Sequence, residues 1–239
     1  MQYDNQGSTP PPFYGSQDVT RQTNAVMRKV YVRMFIGLLI SAFCALGVAS
    51  SRTLAMALLG NQLVFWGMFI ALIVMAFMIP MRLQKMRTGT VLLLFLLYSA
   101  LMGAFLAPVF MVYNLGTIAY VFFITAGTFG AMSVFGYFTK QDLSRIGAFL
   151  IMALIGLIIA SIVNIFLHSS TMEWIISIAG VLIFTGLTAW DTQQVRRMAE
   201  ANLDPAMTDK LATMGAMNLY LDFINMFLYL LRIFGGSRD

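Results

Sequence analysis

Charged residues and cysteine are both scarce in this chain of 239 residues. Asp, Glu, Lys and Arg make up 10% of the sequence, whereas soluble domains carry about 25%. A soluble globular domain is therefore excluded, and so is a disordered chain, which combines low hydrophobicity with high charge. The single cysteine, Cys44, has no partner within the chain, so a disulfide scaffold is excluded as well.

Apolar residues account for 59% of the sequence, and they are gathered into runs long enough to cross a membrane. A helix needs about 20 apolar residues to cross about 30 Å of hydrocarbon. Short polar breaks separate the runs, so neighbouring helices must be antiparallel. The sequence predicts an all-α, polytopic membrane protein with seven transmembrane helices, over residues 30–50, 62–81, 90–112, 115–138, 146–167, 172–194 and 212–234.

The N-terminal segment differs from the rest of the chain because it is polar and contains three consecutive prolines, Pro10 to Pro12. It has no apolar run that could be the core of a signal peptide. We therefore predict a disordered cytoplasmic tail over residues 1–27, followed by a seven-helix transmembrane domain over residues 28–235.

Lys and Arg are distributed unequally between the two ends of the predicted helices. The N-terminal side holds Arg21, Arg28, Lys29, Arg33, Arg82, Lys85, Arg87, Lys140, Arg145, Arg196, Arg197 and Lys210. The other side holds Arg52, Arg232 and Arg238. Because cytoplasmic loops are enriched in Lys and Arg, the N-terminus is predicted to be cytoplasmic and the C-terminus outside. The net charge of +5 thus indicates orientation in a lipid bilayer and not a nucleic-acid partner.

Small residues recur at four-residue spacing within the predicted helices, a pattern that lets helices approach closely in lipid. The examples are Gly37/Ser41, Ser99/Gly103/Ala107, Ala126/Gly130 and Gly156/Ala160. They predict tight packing of the helix bundle.

Two carboxylates lie inside the apolar runs, Asp191 in the sixth predicted helix and Asp222 in the seventh. Each costs about 2.5–3.5 kcal/mol at the middle of a span, and such residues usually face the bundle interior and serve a function. At 1.5 Å per residue, the two lie at similar depth if the seventh helix begins near Ala216. Antiparallel neighbours then bring both carboxylates together in the cytoplasmic half of the membrane.

Polar residues share the helix face of each aspartate, since residues three and four apart are neighbours. Thr188 and Gln194 lie beside Asp191, and Asn218, Asn225 and Tyr229 lie beside Asp222. The rest of the seventh helix is apolar, so its polar stripe is predicted to face a central cavity. Thr188, Asn218 and Asn225 are the candidate lining residues.

Two carboxylates a few ångströms apart cannot both ionise at low cost, so Asp191 and Asp222 are predicted to titrate as a unit and to sense pH. The same pair offers a weak site for Ca²⁺, which prefers six to eight oxygen ligands. Arg82, at the cytoplasmic end of the second helix, is the candidate counter-charge, and Arg33 is its competitor. For either arginine the alternative is a membrane anchor whose charged end reaches the interface.

Two segments resemble the bacterial form of the Bax-inhibitor, or transmembrane BAX-inhibitor-motif, family. They are LTAWDTQQV at residues 187–195 and NLYLDFINMFLYLLRIF at residues 218–234. Further similarity at residues 76–82 and 98–103 extends the resemblance over the whole membrane part. It implies a fold in which six helices surround a central seventh.

The resemblance also implies a function, a pH-sensitive Ca²⁺ leak that contributes to calcium homeostasis and stress protection. Asp191 and Asp222 would share a proton, and Ca²⁺ would be the transported ion, with no cofactor. An arginine near the end of the second helix is implied as a latch on the pair, and Arg82 is its best match. The bacterial motifs favour a prokaryotic plasma membrane.

Other functions remain to be weighed against a leak. One alternative is a regulator of a membrane-bound AAA protease, which would use the polar tail for contacts. Another is a stress-protective membrane factor without ion flux. An intramembrane aspartyl protease is disfavoured because its glycine-framed motif is absent, Asp222 being preceded by Leu-Tyr-Leu. A retinal protein is disfavoured because the seventh helix lacks the lysine that forms a Schiff base. No metal-ligand cluster or nucleophile with a His base is present, so no enzyme is predicted.

Overall fold

A computed structural model describes residues 16–201 and 204–235, and all regular structure in that part is helical. The helices are α1 (Ser16–Ser50), α2 (Arg52–Leu58), α3 (Gln62–Arg82), α4 (Thr88–Phe105), α5 (Ala107–Val112), α6 (Leu115–Phe138), α7 (Ser144–Leu167), α8 (Ser170–Glu200) and α9 (Pro205–Phe234). Seven helical segments of this part are long and apolar enough to cross a membrane. The predicted all-α fold with seven transmembrane helices is confirmed.

Helix α1 begins before the predicted first transmembrane helix, so residues 16–27 are helical and not part of a disordered tail. Thr23, Val26 and Met27 are buried, because this extension packs against α8 and α9. Tertiary contacts thus extend the helix into a polar stretch with no apolar run of its own. Residues 1–15 of the predicted tail, and Arg238, lie outside the described residues.

The third predicted span consists of two helices, α4 and α5, with a break at Leu106. Pro108 has no backbone N–H and follows one residue after the start of α5, a position that tolerates proline. The Leu106 N–H donates to the carbonyls of Met102 and Gly103 at 2.9 and 3.1 Å, so the chain continues in the same direction.

The polar breaks between helices supply N-caps, in which a side-chain oxygen accepts a hydrogen bond from a free backbone N–H. Such caps are formed by Ser51, Asn61, Asn114, Ser169 and Asp204. They fix where α2, α3, α6, α8 and α9 begin. The breaks predicted from the sequence therefore have a defined structural role.

Helix α9 is the most buried of the seven spans and packs against α1, α4, α6 and α8. Helices α3 and α7 lie farther out, packed mainly on α4 and α8 respectively, with many large apolar side chains exposed. Lipid solvates such uniformly apolar helices as well as another helix does. The central position of α9 thus agrees with the prediction, but the ring of six helices around it is not confirmed.

One predicted small-residue contact is present where α1 crosses α4. The Ser41 hydroxyl donates to the Ser99 carbonyl at 2.7 Å, and a Cβ on Gly103 would overlap the Ser41 backbone. By contrast, Gly130 and Gly156 have open space around them. Close helix contacts were predicted at all of these positions, and that prediction is wrong for these last two glycines.

Candidate functional site

Helices α8 and α9 run antiparallel and form the most extensive helix contact of the described residues. Their register is set by close contacts at two glycines, Gly215 against Val195 and Gly180 against Tyr229. In an antiparallel pair, one helix ascends in residue number as the other descends. With Gly215 beside Val195 and Gly180 beside Tyr229, Asp222 lies at the level of Thr188, one turn from Asp191. The long contact of the two helices therefore brings the two aspartates to within about one turn of each other in depth.

The carboxyl groups of Asp191 and Asp222 lie within hydrogen-bonding reach of each other. Only 8% of Asp191 and 4% of Asp222 is exposed, so the pair is shut away between the helices. A hydrogen bond between two carboxyl groups needs a proton on one of them, because an ionised carboxylate only accepts. The predicted juxtaposition of the two residues is therefore present in this structure.

No basic side chain of residues 16–201 or 204–235 forms an ion pair with either aspartate. Asp222 Oδ2 is buried and has no hydrogen-bond partner among these residues. A buried polar atom without a partner costs free energy, and buried carboxylates are usually paired. This pair is therefore unlike a structural ion pair, in which each charge has a partner of opposite sign.

Two of the three candidate lining residues are hydrogen-bonded to a backbone carbonyl of their own helix. The Thr188 hydroxyl donates to the Phe184 carbonyl at 2.8 Å, and the Asn225 amide donates to the Leu221 carbonyl at 2.8 Å. Asn218 is half-buried. Ca²⁺ binds six to eight oxygens, whereas the described residues contain no group of three or more acidic, His or Cys side chains. Two carboxyl groups alone supply too few oxygens for a complete Ca²⁺ site.

Neither arginine considered as a partner of the aspartates contacts them in this structure. Arg82 is exposed at the last turn of α3, which packs on α4 and away from the aspartates. Arg33 is bound elsewhere, with Nη2 donating to both carboxylate oxygens of Asp209 at 2.8 Å. The latch role of Arg82 stays a prediction.

An ionic cluster that the sequence did not reveal joins α1 to α9. Besides its bidentate bond, Arg33 Nη1 donates to the Asp209 carbonyl at 2.7 Å and to the Thr213 hydroxyl at 2.8 Å. Lys29 Nζ lies 3.0 Å from Asp209 Oδ1. The predicted seventh helix began at residue 212 and so left Asp209 in a loop. The available signal was spacing, because Lys29/Arg33 and Asp209/Thr213 are both pairs four residues apart.

A second ion pair connects the α6–α7 loop to α8. Arg197 Nη2 lies 2.8 Å from Asp142 Oδ1. The backbone N–H and the hydroxyl of Ser144 also donate to this carboxylate. These hydrogen bonds, with Arg197 beside them, lower the pKa of Asp142 to about 2. Asp142 is thus ionised throughout the neutral and mildly acidic range.

A family model and several individual proteins match this chain over most of its length. The model of the family "Inhibitor of apoptosis-promoting Bax1" matches residues 23–239. The chain is 45% identical over 214 residues to the inner membrane protein YbhL of Escherichia coli K12, covering 89% of this chain and 92% of YbhL. It is also 45% identical over 217 residues to an uncharacterized protein of Borreliella burgdorferi, covering 90% and 94% of the two chains.

A more distant relative is an uncharacterized membrane protein of Streptococcus pyogenes serotype M1. It is 37% identical over 216 residues, which cover 90% of this chain and 93% of the relative. The residues that match the family model include both aspartates and the Arg33–Asp209 cluster. The chain therefore belongs to the Bax inhibitor family and is a multi-pass membrane protein.

Proposed function

We propose that this protein is a pH-sensitive Ca²⁺ leak of the bacterial inner membrane, gated by Asp191 and Asp222. The observation that carries the proposal is the buried contact of two carboxyl groups without a basic partner among the described residues. The name of the relative YbhL supports the inner membrane, and the distribution of Lys and Arg supports a cytoplasmic N-terminus.

In this proposal, the arrangement with the two aspartates buried is assigned to the closed state of the leak. The two aspartates are buried between α8 and α9, and a hydrogen bond between their carboxyl groups requires a shared proton. When pH rises and that proton leaves, two unit charges about 4 Å apart repel by about 4 kcal/mol at an effective dielectric constant of about 20. A repulsion of this size shifts a two-state equilibrium by about a thousandfold.

A rise in pH then favours both the opening of the leak and the binding of a cation. Separation of α8 from α9 relieves the repulsion and turns both carboxylates into ligands for a hard cation. Protonation at low pH restores the shared-proton contact and removes the cation ligands. Flux is therefore proposed to rise with pH.

The test is Ca²⁺ entry into proteoliposomes that contain an indicator dye, measured at intervals from pH 5 to pH 8. Wild type is expected to show flux that rises with pH. Asp191→Asn and Asp222→Asn are each expected to remove this dependence, because one carboxylate beside an amide has no like charge to repel.

Two results would contradict the proposal. If correctly folded wild type passes no Ca²⁺ at any pH, the leak itself is wrong, and control of a membrane-bound AAA protease or stress protection without flux becomes the function to test. If both asparagine variants keep the pH profile of wild type, a leak remains but the aspartates are not its sensor.

Asp142 provides a matched control for this assay. Its lowered pKa of about 2 means that its contact with Arg197 is fully formed above pH 4 and is lost only as pH falls through about 2. Asp142→Asn is therefore expected to leave the shape of the flux profile between pH 5 and pH 8 unchanged. A profile that flattens in this variant would assign the pH response to the α6–α7 loop.

A further inference from the structure

Helices α1 and α6 are neighbours that do not pack closely along their lengths, and two adjoining cavities lie between them. The first has a volume of about 560 Å³ and lies at the predicted cytoplasmic end, where α8 also borders it. Its polar lining includes Thr23, Lys140, Gln193, Arg196, Arg197 and Glu200. Three of these side chains are basic and one is acidic, so the cavity favours an anion.

The second cavity has a volume of about 490 Å³ and is almost entirely apolar. Met27 and Tyr31 of α1 and Phe129, Gly130, Val134 and Phe138 of α6 line it. Val134 is 58% exposed and Phe138 is 71% exposed, so this groove opens sideways, towards lipid. A groove of this kind accepts an aliphatic chain.

Tyr137 lines both cavities, and so does Phe138. The Tyr137 hydroxyl donates to Asn24 Oδ1 at 2.7 Å, which bridges the gap between α1 and α6. The Arg196 guanidinium lies over the Tyr137 ring, 5.4 Å from its centre, and also donates to the Tyr137 carbonyl. The polar cavity thus continues into the apolar groove past a fixed aromatic ring.

The polar cavity contains hydrogen-bond donors that the described part of the protein leaves unused. Arg196 pairs with Glu200 and Arg197 with Asp142, but Lys140 forms no ion pair with any described residue. The Thr23 hydroxyl is buried and has no hydrogen-bond partner among these residues. An ammonium group without an ion pair beside two guanidinium groups is suited to the oxygens of a phosphate.

We propose that an anionic phospholipid binds between α1 and α6, with its phosphate in the polar cavity and one acyl chain in the apolar groove. A basic pocket between transmembrane helices at the cytoplasmic surface is a known type of lipid-headgroup site. The continuity of a basic cavity with a lipid-facing groove favours a phospholipid over a soluble anion, which would leave the groove unfilled. This site is independent of the two aspartates and of Ca²⁺ flux.

The test measures binding of phosphatidylglycerol and of zwitterionic phosphatidylethanolamine to the purified full-length protein in detergent, by native mass spectrometry. Lys140→Gln removes the unused cation. Gly130→Leu fills the groove, and the fold tolerates it because a Cβ at Gly130 meets open space. The matched controls are Lys85→Gln, at an exposed lysine outside the cavity, and Gly127→Leu, at an exposed glycine of the same helix that also has open space around it.

Wild type and both controls are expected to prefer phosphatidylglycerol. Lys140→Gln is expected to weaken its binding about fivefold, the usual effect of one basic side chain near a membrane. Gly130→Leu is expected to weaken binding of both lipids, with an unchanged melting temperature.

The proposal is overturned if wild type shows no preference for phosphatidylglycerol, or if Lys140→Gln and Gly130→Leu bind it as the controls do. It is also overturned if free glycerol phosphate competes fully and Gly130→Leu has no effect, because the site then binds only an anion.

Discussion

Gly136→Ala is expected to lower the free energy of unfolding by about 3 kcal/mol, at the upper end of the usual cost of overpacking. Gly136 lies on α6 where that helix meets α8, and a Cβ there would overlap the Ala189 carbonyl oxygen and lie 2.8 Å from the Ala189 Cα. These are backbone atoms, so no side chain can rotate out of the way. The two helices must move apart to accept one methyl group.

Gly127→Ala is the control for this substitution because it makes the same chemical change on the same helix. A Cβ at Gly127 meets no atom within 4 Å, so this variant is expected to be neutral or more stable, since alanine favours a helix by about 1 kcal/mol over glycine. Unfolding by SDS titration in mixed micelles measures both values. Equal stability of the two variants would contradict the close contact of α6 with α8.

The Gly136 contact also has a bearing on the proposed function, because Ala189 lies two residues before Asp191. Moving α6 away from α8 would loosen the helix that positions this aspartate. Gly136→Ala is therefore a poor variant for testing the pH sensor, whereas the asparagine substitutions change charge and leave helix packing intact.

The sequence was sufficient to predict those features of the protein that depend on the energetic cost of a single residue or on the length of an apolar run. A carboxylate within an apolar run is costly wherever it lies, so Asp191 and Asp222 could be identified without knowledge of their neighbours. Runs of about 20 apolar residues likewise located all seven spans. The meeting of the two aspartates followed from antiparallel neighbours. The helix start near Ala216 that was assumed for it is wrong, because α8 continues to Glu200 and α9 already begins at Pro205.

The sequence was not sufficient where the outcome depends on which face of a helix meets which neighbour. Gly103 and Gly130 have the same local pattern, yet Gly103 contacts the Ser41 backbone and Gly130 borders an open groove. The start of α1 was missed for a similar reason, because Val26 and Met27 are buried by α8 and α9 and not by an apolar run of their own. Lateral neighbours in a bundle are set by packing, which periodicity does not specify.

The Arg33–Asp209 cluster holds α1 against α9, and its loss is expected to have the second large effect on stability. Only 15% of the Arg33 side chain and 21% of the Asp209 side chain is exposed, so Arg33→Met leaves a partly buried carboxylate with Lys29 alone. The expected loss is about 2–3 kcal/mol, less than for a fully buried pair because Lys29 remains. Arg28→Met, at an exposed arginine of the same helix, is expected to change stability by about 0.5 kcal/mol or less.

A double-mutant cycle separates this ionic contact from any general effect of removing charge near the membrane. Asp209→Asn alone leaves Arg33 without its bidentate partner, so it should also destabilise the protein. The variant with both changes should be more stable than the sum of the two losses predicts, by more than about 1 kcal/mol, because the second change removes a charge that the first had already left unpaired. Strictly additive losses would mean that Arg33 and Asp209 do not stabilise the protein through each other. A large coupling would instead establish that α1 is fixed to α9, the helix that carries Asp222 about three and a half turns beyond Asp209.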